Sequence, residues 1–166
     1  MQRQKSPRSN VIPPGALVMQ VLLIEDDSFK EKSLTDFIGD LIDDVKITTA
    51  PSLVDAIEAV DVGPYDLILI DMAIPSHPII LGGGAPISLL TGGIEVLLEL
   101  NSLDRSDPCV IITQYPDIEI SGSFVHIDNA AHEINSRLGC KVLDCILYSE
   151  DSGTWKAKLG TIIENL

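Results

Sequence analysis

Aromatic residues are nearly absent: the 166 residues include three Phe, three Tyr and one Trp. Since hydrophobic content is nonetheless 45%, the core has to be built from Val, Ile, Leu and Ala. Basic residues are also scarce, 11 against 25 acids for a formal charge of −14. This excludes a broad basic surface and, with it, direct nucleic-acid binding of the usual electrostatic kind. An acidic surface of this kind suits basic partner patches and divalent cations, or serves only to solvate the chain. The three cysteines, Cys109, Cys140 and Cys145, are odd in number and lack CxxC spacing. They read as reduced core residues rather than a disulfide framework. His77, His126 and His132 are scattered, and only His132 stands near another candidate ligand, Asp128, at helical spacing. Zinc needs three or four convergent ligands. No apolar run reaches the roughly 18 residues of a membrane helix, and no secretory signal opens the chain. The expectation is a cytoplasmic protein without membrane insertion.

The length suits one domain with one sizeable core. Residues 1–15, "MQRQKSPRSNVIPPG", read as a flexible leader, and residues 16–166 as the domain. Within it, short apolar runs alternate with helical periodicity. "LVMQVLLI" at 17–24 is a buried strand. Ser28 with Glu31 predicts a capping box, and Leu34, Phe37, Ile38 and Leu41 a helical face. "VKITT" at 45–49 leads to a helix with Leu53, Ala56, Ile57 and Val60 inward, stopped at Gly63-Pro64. "DLILI" is the third strand, and Ile94, Leu97 and Leu98 begin the inward face of its helix. "CVIIT" at 109–113, a loop, and a helix near 129–138 ending at Gly139 follow. "VLDCILY" at 142–148 and a helix carrying Trp155, Leu159, Ile162 and Leu166 complete the pattern. Five strands alternating with five helices predict right-handed crossovers and a parallel sheet covered on both faces.

The apolar run in "DLILIDMAIP" ends on an acid, Asp71, at the point where a buried strand emerges. In a parallel sheet all carboxyl ends share one edge. That edge gathers Glu25 and Asp26 from the first strand, Asp71 from the third and Thr113 from the fourth. Clustered carboxylates resist ionising together, and a hard divalent cation such as Mg²⁺ resolves the conflict with oxygen ligands. The arrangement suits phosphoryl transfer to a carboxylate, with Asp71 as nucleophile, Glu25 and Asp26 as metal holders and Thr113 as donor to a phosphoryl oxygen. The plainer alternatives are that Asp26 or Asp27 only caps the first helix and that Thr113 is only a strand-end hydroxyl.

These residues resemble the receiver domain of two-component response regulators. "VLLIEDD" is similar to that family's first strand with its acidic pair, "DLILIDMAIP" to its phosphoacceptor strand, "VIIT" to its fourth strand and "GGIEVLLEL" to the start of its third helix. The resemblance implies a three-layer (βα)5, flavodoxin-like fold of order 2-1-3-4-5, with Mg²⁺ as cofactor and the backbone carbonyl of Ala73 as a further ligand. It also implies phosphorylation of Asp71 by a sensor histidine kinase or phosphotransfer protein.

Two departures stand out. The lysine that the family carries at the end of its fifth strand is replaced by Tyr148, with Ser149 after it, and Cys145 stands where an aromatic switch residue is usual. Lys141, Lys156 and Lys158 are the substitutes considered. The segment "SHPIILGGGAPISLLTG" is longer than the link expected there, and it reads either as a lid or docking loop or as apolar packing on the domain. Its glycines lack the GK[ST] of a P-loop. The expected function is that of a stand-alone receiver, a phosphoacceptor rather than an enzyme, acting through a downstream protein partner, with homodimerisation open. The alternatives are a pseudo-receiver interaction module and, from another class, a flavodoxin-like enzyme or flavin binder. Flavin binding conflicts with Glu25-Asp26-Asp27 where a phosphate loop would lie, and Ala73 stands where a haloacid-dehalogenase phosphatase would need a second aspartate.

Overall fold

The computed structural model describes residue 15 and residues 17–166; the leader expected over 1–15 lies, but for Gly15, outside them. The chain runs β1 (Met19–Ile24), α1 (Ser28–Leu41), β2 (Val45–Ala50), α2 (Leu53–Val62), β3 (Leu67–Ile70), β4 (Ile74–Pro75), β5 (Ser88–Leu89) and α3 (Gly92–Ser102). It continues through β6 (Cys109–Thr113), β7 (Asp117–Ile120), β8 (Ser123–His126), α4 (Ile127–Leu138), β9 (Val142–Leu147) and α5 (Thr154–Glu164). Five of the strands form one parallel sheet, ordered β2-β1-β3-β6-β9. Numbered by their place in the sheet, these are strands 2-1-3-4-5, the expected order.

Side-chain alternation along the buried strands divides the core. Val21 and Leu23 of β1, Leu67 and Leu69 of β3, and Val110 and Ile112 of β6 pack with Leu34 and Ile38 of α1 and Trp155 and Leu159 of α5. Leu22, Ile24, Ile68, Ile70 and Ile111 point the other way, toward Ala56, Val60, Val96, Leu97, Leu100 and Ile134 from α2, α3 and α4. Both faces of the central strands are thus dry, so those strands read as unbroken apolar runs. Truncating one of the buried Leu or Ile side chains to Ala costs about 2–5 kcal/mol.

The local departures from expectation have physical causes. The N-cap of α1 is Asp27, whose Oδ1 accepts from the N–H groups of Phe29 and Lys30 at 2.8 and 3.2 Å, so Ser28 is the first helical residue rather than the cap. A carboxylate answers the helix N-terminus with charge as well as a lone pair. Leu41 and Leu98 are exposed; in α3 the inward face is Ile94, Val96, Leu97 and Leu100. Leu166 follows the end of α5 and is also exposed. The expected loop before α4 is instead an antiparallel hairpin, β7 with β8. Its turn uses Ser121 and Gly122 at φ of 51° and 78°, the positive-φ pair of a two-residue hairpin turn matched to strand twist.

The long segment after Pro75 is pinned at its base by β4 and β5, which pair antiparallel through Ile74 with Leu89 and Pro75 with Ser88. Its tip does not pack on the domain: Ile79, Ile80 and Leu81 are all exposed. All three cysteines are buried and free, as expected, and burial pushes the thiols of Cys109 and Cys145 up to about 12. No helix among the described residues is long and apolar enough to cross a membrane.

Candidate functional site

Strand register sets the site. Ile24 is level with Ile70, and Ile70 with Ile111. The next residue on each strand is therefore Glu25, Asp71 and Ile112. The N–H of Asp71 donates to Ile24 O at 2.9 Å and that of Glu25 to Ala50 O at 3.2 Å, which holds both acids in ladder geometry one step beyond the strands. Asp26 leaves the ladder and is exposed. Glu25, Asp26 and Asp71 each offer a carboxylate oxygen, all within 4.8 Å of one another. They open into a cavity of about 230 Å³ whose lining also includes Ala73, Gln114 and Tyr115.

Sequence reasoning missed the group that holds this cluster together. Lys30, on the first turn of α1, is 2% exposed. Its Nζ lies 2.6 Å from Glu25 Oε2 and 3.0 Å from Asp71 Oδ1, and it donates to Ile112 O at 2.8 Å. The contacts to the carboxylates are ion pairs without aligned hydrogen-bond angles, and neither oxygen has another partner among the described residues. Lys30, Leu34 and Ile38 are the buried residues of α1, spaced by four, so the lysine stands on the core-facing stripe one turn above the leucine. Of the substitutes considered, none reaches the site. Lys141 donates to Ser106 Oγ at 2.7 Å, Lys156 lies over the Trp155 ring, and Lys158 is exposed.

The electrostatics follow from burial and crowding. Burial pushes the Glu25 carboxyl up to about 7, with the Lys30 ammonium pulling against the rise and the charge of Asp71 adding to it. Burial also raises Asp26, and the charges of Asp71 and Asp27 work in the same direction. Three carboxylates against one ammonium leave two negative charges, which is the charge of one Mg²⁺. The donor set is all oxygen, as that ion requires. Asp71 Oδ1 and Glu25 Oε2 face the ammonium, and Glu25 Oε1 accepts from the Asp27 N–H at 2.9 Å. The oxygens left open to a cation are therefore those of Asp26 and the second oxygen of Asp71, with Ala73 on the cavity wall. The residues fit the ion.

Asp27 does cap α1, as the plainer alternative held; Asp26 does not. Thr113 ends β6 and is fully buried, its Oγ1 receiving the Tyr115 N–H at 3.4 Å; it is not among the residues lining the cavity. Tyr148 is buried just past β9, its N–H on Thr113 O at 2.8 Å, its ring 5.2 Å from that of Trp155 and 5.7 Å from Lys30 Nζ. Cys145 is buried within β9. His126 also lies beside Asp128, its ring capping α4 by accepting the Asp128 N–H. The acidic trio is the one such ligand cluster among the described residues.

No family model matches the chain. It is 33% identical over 141 residues to the Detocs response regulatory protein DtcB of Vibrio alginolyticus, covering 83% of this chain and 95% of that one. The fold is similar to a CheY-like response regulator receiver domain protein from Methanospirillum hungatei (TM-score 0.59, 13% identity, 90% and 93% of the two chains). It is also similar to the receiver domain of the sensor histidine kinase PA1611 from Pseudomonas aeruginosa (TM-score 0.57, 14% identity, 90% and 97%), which holds a magnesium ion in its active-site cleft. With the acidic cluster at the carboxyl ends of β1 and β3, this relationship places the chain in the response regulator family, as a receiver domain.

Proposed function

We propose that the chain is a signalling receiver phosphorylated on Asp71, in a Mg²⁺-dependent reaction, by a histidine kinase or phosphotransfer protein, and that its output is a protein contact. The observation that carries this reading is the convergence of Glu25, Asp26 and Asp71 within 4.8 Å at the mouth of an open cavity. A carboxylate nucleophile needs no base; it needs a held position and compensation of charge on the phosphoryl oxygens. Register holds Asp71 in place. Asp26, Asp71 and the Ala73 carbonyl would hold Mg²⁺ directly, with Glu25 behind them, and the ion when bound supplies charge neutralisation for the transferring group. Thr113, at the end of the adjacent strand, is the proposed donor to a phosphoryl oxygen, reached by turning its hydroxyl from the Tyr115 N–H. The reaction belongs to a domain in the cytoplasm that is phosphorylated rather than one that turns over a substrate.

Lys30 bears on the alternative reading of a pseudo-receiver. That reading rests on Tyr148 and Cys145 at the family's lysine and aromatic positions; a buried ammonium 3.0 Å from Asp71 supplies the charge that Tyr148 lacks and so supports phosphorylation. The exposed apolar tip of the β4–β5 segment and the exposed Phe124 of the β7–β8 hairpin support protein contact as the output. The test is incubation with Mg²⁺ and a small-molecule phosphodonor such as acetyl phosphate, read by intact mass. One phosphoryl group is gained by the wild type and none by Asp71→Asn. A wild-type mass unchanged at millimolar Mg²⁺ refutes the reading.

A further inference from the structure

A lysine on the core-facing stripe of a helix loses hydration worth several kcal/mol and persists only where its surroundings return it. The Lys30 ammonium has three oxygens around it: Glu25 Oε2 and Asp71 Oδ1 as ion pairs and Ile112 O as hydrogen-bond acceptor. These come from β1, from the end of β3 and from β6, so one ammonium ties together three adjacent strands at the edge where the site lies. Nζ also lies over the Tyr148 ring, 5.7 Å from its centroid. Such a set of partners is more than packing requires, because a leucine in the place of Lys30 would fill the same stripe without burying charge. Lys32, two residues on, shows the ordinary alternative for a lysine of this helix: it is exposed and paired with Asp36.

We propose that Lys30 is the cation of the phosphorylation reaction itself, supplied from α1: it orients Asp71 before transfer and binds the phosphoryl group afterwards. The inference rests on the reading of Asp71 as phosphoacceptor. With Oδ1 of Asp71 held by the ammonium, the second oxygen is the one presented to the cavity. An oxygen of the Asp71 carboxylate attacks phosphorus; the new O–P bond forms as the P–N bond of a phosphohistidine, or the P–O bond of an acyl phosphate, breaks. The electron pair leaves with the donor. Asp71 loses no proton and Lys30 remains an ammonium throughout.

Transfer turns a singly charged carboxylate into an acyl phosphate with about two negative charges. The attraction of the ammonium for residue 71 therefore grows as the reaction proceeds, and interactions that strengthen along the reaction lower its barrier. Among the described residues Lys30 is the one cation paired with Asp71. Tyr148 then serves as a wall beside the ammonium and not as a phosphoryl ligand, since it packs near Lys30 and Trp155 and does not line the cavity of the three acids.

The test compares wild type and Lys30→Met for the rate of phosphoryl gain from acetyl phosphate at saturating Mg²⁺, with circular dichroism to verify the fold. The expected result is a rate lower by roughly a hundredfold, the scale seen when one preorganised charge-stabilising donor is removed. A folded Lys30→Met that gains the group at the wild-type rate overturns the assignment while leaving Asp71 as acceptor. A wild type that gains none removes the acceptor reading and this inference with it. Should Lys30→Met fail to fold, a structure of the wild type with Mg²⁺ and beryllofluoride decides. Nζ within hydrogen-bond reach of a fluoride on Asp71 supports the assignment, and Nζ still on Ile112 O and Glu25, out of reach of every fluoride, overturns it.

Discussion

Removing the Lys30 ammonium should destabilise the metal-free protein by an amount that the structure bounds. In Lys30→Met the aliphatic stem is nearly kept, so the packing of α1 on β1 and β3 changes little. What is lost is the compensation of Glu25 and Asp71, 2% and 7% exposed, which are left facing each other. Breaking a buried ion pair by deleting one partner costs about 3–5 kcal/mol. For a chain of this size each kcal/mol moves Tm by roughly 2–4 °C, so a fall of about 6–20 °C is expected. Glu25 can limit the loss by taking up a proton, since burial already pushes it to about 7 with Lys30 in place. The measurement therefore belongs at pH 8 in the presence of a chelator. Adding Mg²⁺ should then raise Tm more in the variant than in the wild type, because no ammonium competes with the ion for the acids. The readout is thermal unfolding followed by circular dichroism. A variant within roughly 2 °C of wild type at pH 8 in chelator would refute the reasoning, for it would mean that the ammonium does not compensate the two acids.

Three further outcomes are expected. At Gly93 a Cβ would stand 2.8 Å from Asp71 O and 3.0 Å from both Ile70 Cγ2 and Met72 Sδ; the nearest neighbour is backbone, so Gly93→Ala should cost about 1–3 kcal/mol by urea unfolding and slow phosphoryl gain by moving Asp71. Replacing the exposed Ile79, Ile80 and Leu81 together with serine should leave stability within about 0.5 kcal/mol of wild type, and a larger loss in the same urea assay would show that the tip packs on the domain after all. Asp107 lies buried, accepting from Arg105 Nε at 2.9 Å and from the Tyr65 N–H at 2.8 Å. Burial pushes its carboxyl up, but the Arg105 hydrogen bond and the Tyr65 N–H outweigh burial and hold it below the usual carboxylate value. An acid depressed on folding contributes stability that is present above its unfolded value, near 3.9, and is lost as pH falls through the folded one. Urea midpoints of wild type and Asp107→Asn should thus differ by a constant amount at neutral pH and converge as pH drops below about 4.

The five sheet strands were legible because a parallel sheet buried on both faces demands continuous apolar runs, and "VLLI", "LILI" and "VIIT" supply them. The acids were legible for the same reason: a carboxylate directly after such a run has to emerge where the strand does. Lys30 was hidden by its neighbours. In "SFKEKSLTDF" it reads as one member of a charged, solvated turn. The signal that would have found it is its spacing, four residues before Leu34 and eight before Ile38, which puts it on the buried stripe whatever its charge. The family position at the end of β9 points instead to Lys141, Lys156 and Lys158, which flank β9 or lie in α5. The β7–β8 hairpin also had a signal, the alternation of Ile118 and Ile120 with Asp117 and Glu119 before a Ser-Gly pair. It is short, and it lies where a plain loop satisfied the alternating pattern of strands and helices. The exposure of Ile79 to Leu81 had no signal in composition, since three adjacent aliphatics are as compatible with packing as with display.

Placing the cation on α1 changes what the site is mechanically attached to. A lysine at the end of β9 would be carried by the strand that leads into α5. Here Glu25, Asp26 and Lys30 fall within one strand end and the first turn of one helix, fixed together by the Asp27 cap. Three of the site's charged groups therefore move as one body, and the remaining acid, Asp71, is locked to it through the Ile24 carbonyl. Beyond the apolar packing of α1, the strands toward the far edge meet the Lys30 ammonium itself at two places: the Ile112 carbonyl of β6 and the Tyr148 ring after β9. Both contacts are to Nζ. Any shift of the ammonium toward a phosphoryl group on Asp71 must loosen one or both, and Ile112 adjoins Thr113, whose carbonyl holds the Tyr148 N–H. Beside the β3–β6 ladder, the Asp71 carboxylate thus meets β6 and β9 through the grip of one side chain, which on the proposed reading makes the partners of Lys30, and not the identity of residue 148 alone, the feature that would set how phosphorylation is felt at that edge of the sheet.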